Sequence, residues 1–141
     1  MRAFHRRATI SLLTVLVACS SGRDNQPFDP LQFQERTGVI FVAQNVVPGA
    51  VMEALFEGRV VADSAGCLRL DSPDPATVVW PKGFTISESG GALRVRNDVG
   101  REIGQIGGSF RLGGGEVQSL QEGVSAADRQ RAQTNCPGRY W

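Results

Sequence analysis

The chain has 141 residues and a formal net charge of +1 from fifteen basic and fourteen acidic side chains. That length suits a single domain, and the near balance of charge excludes a general nucleic-acid binder, which carries a clear basic excess. Fourteen of the basic residues are arginine, Lys82 is the only lysine, and His5 is the only histidine, so the chemistry open to the chain is narrow from the outset.

Arg2, Arg6 and Arg7 precede an eleven-residue apolar run, Ala8 to Ala18, with no acidic residue before Asp24. The run is too short to stay in a bilayer as a permanent helix and reads as a secretory signal over residues 1–18. It closes on Leu16-Val17-Ala18-Cys19, with small residues at the cleavage point and a cysteine directly after it. This resembles a bacterial lipoprotein signal. The resemblance implies cleavage before Cys19, diacylation of its sulfur by chains such as palmitate, and acylation of the new amine. Two or three chains hold firmly, because each buried methylene contributes ~0.8 kcal/mol. Ser20 stands where enterobacteria-like sorting places an aspartate to retain a lipoprotein at the inner membrane. The expected location is therefore the cell envelope, on the inner leaflet of the outer membrane in an organism that has one. The competing reading is a soluble secreted protein whose cysteine falls here by chance.

Cleavage would leave residues 19–141 with twelve basic and fourteen acidic side chains, net −2, and no histidine. Ser-His-Asp and Cys-His catalysis and histidine-based zinc sites are then excluded, and two remaining cysteines cannot build a four-thiolate site. No cofactor or metal is expected, and the balance tilts against an enzyme. Lys82 lies between Pro81 and Gly83 and reads as a solvated turn position.

Residues 19–36 are rich in Ser, Asn, Gln, Asp and Pro and read as the lipidated cysteine and a tether. Pro27 and Pro30 argue against a regular element there, although Phe28, Leu31 and Phe33 can dock on the domain. Residues 37–141 form one β-rich domain of short apolar or alternating segments separated by Gly, Pro, Asn and Asp. Val39 to Ala43 is β-prone and reads as an edge piece. Val51 to Val61 alternates after Pro48-Gly49, although residues 51–57 also fit one short helix. Cys67 to Leu70 alternates, and Val78 to Trp80 and Phe84 to Ile86 flank the Pro81-Lys82-Gly83 turn. Leu93 to Arg96 and the stretch through Ile103 and Ile106 make a hairpin about Asn97-Asp98-Val99-Gly100. Ser109 to Leu112 is a further strand. Glu116 to Gln121 competes as a helical turn. Ser125 fits an N-cap for a helix over Ala126 to Gln133, with Asp128 completing a weak capping box.

Such closely spaced strands predict a mostly β fold. The favoured form is a small closed or partly open β-barrel of the oligonucleotide/oligosaccharide-binding kind with one or two short helices, and the alternative is a small β-sandwich. The segments GCLRL, VVWPKGF, LRVRNDVGREIGQIGG, FRLGGGE and CPGRYW, in this order, also resemble a group of small bacterial exported β domains over Val51 to Trp141. That group has no established activity, so the resemblance transfers no catalytic residue.

Cys67 and Cys136 have one possible connectivity. In an oxidising compartment the pair becomes a disulfide, and it lacks the Cys-x-x-Cys spacing of a redox dithiol. The glycines at 108 and 113–115 lack the Lys-Ser/Thr of a phosphate loop and suit bulges and tight crossings. Trp80, Phe84 and Phe110 read as core, while Tyr140 and Trp141 read as a lid pinned by the disulfide, with a sugar-stacking platform as the alternative. Arg94 and Arg96 share one strand face, and Arg69 and Arg111 alternate with apolar neighbours in the same way. Together they could form an anion-binding patch, with Arg69 also projecting outward; the alternative is a solvated, partly ion-paired surface. The functional expectation is an envelope binding or interaction module, meeting the membrane through its lipid and an envelope protein or acidic polymer through its surface. The alternatives are an anionic-ligand or polysaccharide binder using the arginine face, and a carboxylate-based hydrolase, whose paired acids cannot be located from sequence.

Overall fold

Asp29 decides where the first helix of the described residues begins. In the computed structural model, which describes residues 27–47, 52–120 and 123–141, its carboxylate accepts the Leu31 N–H at 2.9 Å and the Gln32 N–H at 3.4 Å. It thereby caps helix α1, Pro30–Thr37. Pro30 stands in the first turn, where its missing N–H has no partner to lose and its fixed φ fits. The helix stops at Gly38, at φ 72°, whose N–H returns to the Gln34 carbonyl at 2.7 Å. This corrects the reading of residues 19–36 as a tether without a regular element: Pro30 starts a helix, and Phe33 from that helix is buried in the core. The signal over 1–18, Cys19 and the chain to Gln26 lie outside the described residues, as do Pro48-Gly49 and Gln121-Glu122.

Among the described residues, eight strands follow. They are β1 Val42–Ala43, β2 Ala54–Ala62, β3 Leu68–Leu70, β4 Val79–Trp80, β5 Thr85–Ser89, β6 Ala92–Arg96, β7 Glu102–Gln105 and β8 Ser109–Gly114, with helix α2, Ala126–Asn135, after them. Across the described residues the fold is mostly β with two short helices. The segment also readable as a helix from residue 51 is extended from Ala54 onward, and Val117 makes a β-bridge to Tyr140 in place of a helical turn. The Ser125 cap forms as expected: its hydroxyl accepts the Asp128 N–H at 3.1 Å and donates to the Asp128 carboxylate at 2.8 Å.

The strands lie in small sheets. β2 is flanked by β3 and β8, and β6 by β5 and β7, all antiparallel, while β1 pairs with β4 in parallel. No closed barrel is found among the described residues. The two three-stranded sheets meet at the turn from β7 to β8, where the Gly107 N–H reaches the Val60 carbonyl at 2.7 Å. The Phe110 ring lies against Gly104 so closely that a Cβ there would come within 2.6 Å of it. Glycine is what lets the ring seat between the sheets.

Val39 to Val42 is buried on both sides of the chain. Val39 and Phe41 join the larger core with Leu68, Val78 and Trp80. Ile40 and Val42 join a second cluster with Cys67, Ala132, Cys136 and Tyr140 under α2. β1 is one of the two strands of its small sheet, as an edge piece would be, yet both faces of the stretch are covered. A strand covered on both faces is apolar throughout and does not alternate. In the larger core Phe41 stacks on Trp80 with ring centroids 5.7 Å apart and planes 7° apart, and Phe110 meets Trp80 from another side at 5.7 Å.

The expected disulfide is present, joining Cys67 and Cys136 with both residues fully buried. It closes a separation of 69 residues, so its loss releases considerable chain entropy in the unfolded state. Replacing both cysteines by serine is expected to lower the free energy of unfolding by roughly 4 kcal/mol, read by urea denaturation against the oxidised wild type. A change under about 1 kcal/mol would remove the bond from the list of structural determinants.

Candidate functional site

The four arginines that alternate with apolar residues are divided between two sheets. Arg69 is on β3 and Arg111 on β8, on either side of β2, whereas Arg94 and Arg96 are on β6. Each finds a partner close by. Arg111 meets Glu57 across the strand at 3.0 Å, Arg94 meets Glu102 at 2.7 Å, and Arg96 donates to the Gly100 carbonyl at 3.4 Å. Arg94 and Arg96 flank Val95, which is fully buried, so the alternation expected on β6 is present.

Arg69 departs from the outward position expected of it, with a side chain only 15% exposed. Its Nε donates to Asp63 Oδ2 at 2.6 Å and its Nη2 to the Pro137 carbonyl at 3.2 Å. The cause is local. Asp63 ends the approach to the β2–β3 turn, and its Oδ1 accepts the Ala65 and Cys67 N–H groups, each at 2.9 Å. One carboxylate thus shapes the turn and anchors the arginine, which in turn ties the turn to the chain just after Cys136. Partial burial pushes the Asp63 carboxyl up, but the Arg69 hydrogen bond, the two backbone N–H groups and the Arg69 charge outweigh it and hold it below the usual range.

Sequence reasoning missed Arg131. From α2 it donates to Gln34 on α1 at 3.2 Å, to the Phe41 carbonyl at 3.1 Å and to Asp128 on its own helix. Its side chain is 10% exposed, so it acts as a buried link among three elements. The only signal in the sequence was its place three residues after Asp128. Arg139 likewise bonds Glu116 and Asp74.

Tyr140 and Trp141 pack as a lid. Tyr140 is 2% exposed, its hydroxyl donates to the Cys136 carbonyl at 3.2 Å, and burial raises its phenol pKa, opposed in part by the Arg69 charge. Trp141 rests against Phe56 at 6.2 Å, and its main chain exchanges hydrogen bonds with Thr77 and Val79, each at 2.8 Å.

Among the described residues, a groove lies open between α1 and β5. It has a volume of about 480 Å³, with Phe28, Phe33 and Ile86 at its apolar base and Asp29, Gln32, Arg36 and Ser87 around it. Phe28 is wedged against Phe33 at 5.8 Å and Phe41 at 5.5 Å, and Arg36 covers the Phe33 ring at 5.8 Å. An apolar base with mixed charges at its margin suits a ligand that presents both apolar side chains and polar groups.

No family model, no curated protein and no solved structure matches this chain. The argument for function therefore rests on its own residues.

Asp63→Asn is expected to destabilise the protein by about 1–3 kcal/mol at neutral pH, because Arg69 loses its charged acceptor in a mostly covered site. The Asp63 pKa is lowered on folding, so its contribution is complete above the usual aspartate range and fades as pH falls through the lowered value. Thermal melts of wild type and variant should converge under acid conditions; a gap independent of pH would contradict the assignment.

Proposed function

We propose that the protein is a lipid-anchored module of the bacterial cell envelope that acts by binding, with the groove between α1 and β5 as its contact surface. The observation that carries the envelope part of this reading is the Cys67–Cys136 bond, because a buried structural disulfide suits a chain that matures in an oxidising compartment. It agrees with the export signal and with Cys19 at the cleavage point. Among the described residues no helix is long and apolar enough to cross a membrane, so the anchor in this reading is the acylated Cys19.

The pairing of charges supports binding through the groove over the other two readings. Arg69, Arg94 and Arg111 each hold an acidic partner within 3.0 Å, so an anionic ligand would have to displace those carboxylates. Asp63, Asp71, Glu102, Glu116 and Asp128 are in turn held by arginines, an arrangement that serves the fold more directly than carboxylate-based hydrolysis. For the architecture we favour a partly open barrel over a sandwich, since the chain passes from one sheet to the other through the tight β7–β8 turn bound to Val60.

Changing Cys19 to Ser is expected to abolish incorporation of labelled fatty acid and to leave an uncleaved precursor in envelope fractions. Labelling that persists in the variant would refute the lipid anchor.

A further inference from the structure

We propose that one end of the domain, built from the β6–β7 turn and the Pro81-Lys82-Gly83 turn, rests on the anionic lipid surface that holds Cys19, with Val99 at the point of contact. The inference depends on the lipid anchor proposed above and adds to it an orientation and a class of lipid. It starts from the two turns. Asn97 closes the first: its carbonyl accepts the Gly100 N–H at 2.9 Å, its side-chain oxygen accepts the Arg101 N–H at 2.8 Å, and its own N–H goes to the Arg101 carbonyl at 2.9 Å. Asp98 and Val99 are left at the apex, and Gly100, at φ 78°, lets the chain turn back. The second turn is closed by the Phe84 N–H on the Pro81 carbonyl at 3.1 Å. Its Gly83 approaches the first turn so closely that a Cβ there would come within 2.9 Å of the Asp98 Cβ. The two turns therefore form one surface.

Val99 is 80% exposed, more than any other large apolar side chain of the described residues. Exposed apolar side chains standing singly are common, so the charge around this one decides. Lys82, Arg96 and Arg101 are all exposed beside it. Among the described residues none of the three is held in an ion pair, in contrast to Arg59, Arg69, Arg94, Arg111, Arg131 and Arg139. Glu102, which follows the first turn, is taken by Arg94 at 2.7 Å. With Asp98 counted, the two turns carry 3 − 1 = +2, whereas residues 19–141 carry 12 − 14 = −2, so the rest of the mature chain carries −4. An anionic surface attracts this end and repels the remainder, which gives the domain a preferred orientation.

The length of the tether names the partner. Seven residues separate Cys19 from Pro27, a reach of at most about 28 Å when fully extended. Pro27 lines the same groove as Ile86, Ile86 pairs with Val95, and Val99 follows four residues later, at most about 14 Å from Val95. Cys19 and Val99 can therefore meet one bilayer at the same time. The anchor keeps the basic end close to the headgroups, where each basic residue strengthens association about fivefold. A soluble acidic polymer would match the charge but would offer no apolar layer to Val99 and no fixed nearness to Pro27.

The test is co-sedimentation of the oxidised mature chain carrying Cys19→Ser, which has no acyl group, with vesicles of phosphatidylglycerol and with vesicles of phosphatidylcholine at low salt. The expected result is binding to the first, at least about tenfold weaker on the second and weakened by added salt. A spin label on the lipid headgroup should broaden the amides of Lys82 and of Asp98 to Arg101 first. Changing Arg96 and Arg101 together to Gln should weaken binding about tenfold or more, and Val99→Asp should weaken it in the same direction. Changing Arg59 and Arg111 together to Gln removes the same charge from the other sheet and should cost less than about threefold. Unchanged amide patterns report that the variants fold; if a variant is perturbed, the two lipids and the broadening on wild type decide alone. No binding to the anionic vesicles, equal binding to both lipids, broadening centred elsewhere, or an equal loss in the two arginine pairs would each overturn the proposal. Tighter binding to soluble polyglutamate than to the vesicles would overturn it in favour of an acidic polymer. Fatty-acid labelling of Cys19 is read separately, so the anchor can stand where this contact fails.

Discussion

The bond between Cys67 and Cys136 fastens the end of α2 to the start of β3, and most of the fold is arranged around that point. It holds α2 against β1 and brings Tyr140 and Trp141 beside Thr77 and Val79, with which they pair. The strand segment from Val39 to Val42 can be apolar on both faces because α2 covers one and the aromatic core the other. Arg69 and Tyr140 reinforce the junction through the carbonyls of Pro137 and Cys136. Without the junction, a segment of few residues would have to keep its place in the sheet against the chain entropy lost in ordering it.

Charge has the same structural use elsewhere. Arginines 59, 69, 94, 111, 131 and 139 each reach an acidic side chain, and Arg69, Arg131 and Arg139 also donate to main-chain carbonyls of distant segments. A guanidinium offers several donors in one plane and can join elements that a single-point cation would not. The exposed pairs, such as Arg111 with Glu57, contribute little to stability, whereas the covered ones organise turns and helix contacts.

Several features were legible in the sequence because they depend on neighbours along the chain. The alternation of Leu93 to Arg96, the turn at Asn97 to Gly100, the Ser125 cap and the forced pairing of two cysteines are of this kind. α1 was missed because Pro30 was weighed as a helix breaker, although Asp29 directly before it supplies a cap and a first-turn proline starts a helix readily. The two-sided burial of Ile40 to Val42 depends on α2, some ninety residues away, and no local pattern reports it. For Arg69 the sequence showed the right alternation but the wrong exposure, because Asp63 holds it from the adjoining turn and Pro137, distant in sequence and next to Cys136, covers it. The groove was invisible for the same reason, since Phe28 and Phe33 meet Ile86 only in the folded domain.

Native-state hydrogen exchange at single amides tests the organising role of the disulfide junction most directly. In the oxidised protein the N–H groups of Thr77, Val79, Val117, Tyr140 and Trp141, which bond to Arg139, Trp141, Tyr140, Val117 and Thr77, should exchange slowly as one set. Reduction should release them together. Fast exchange of Tyr140 and Trp141 while the disulfide is intact would contradict the account, because the final residues would then not be part of the sheet.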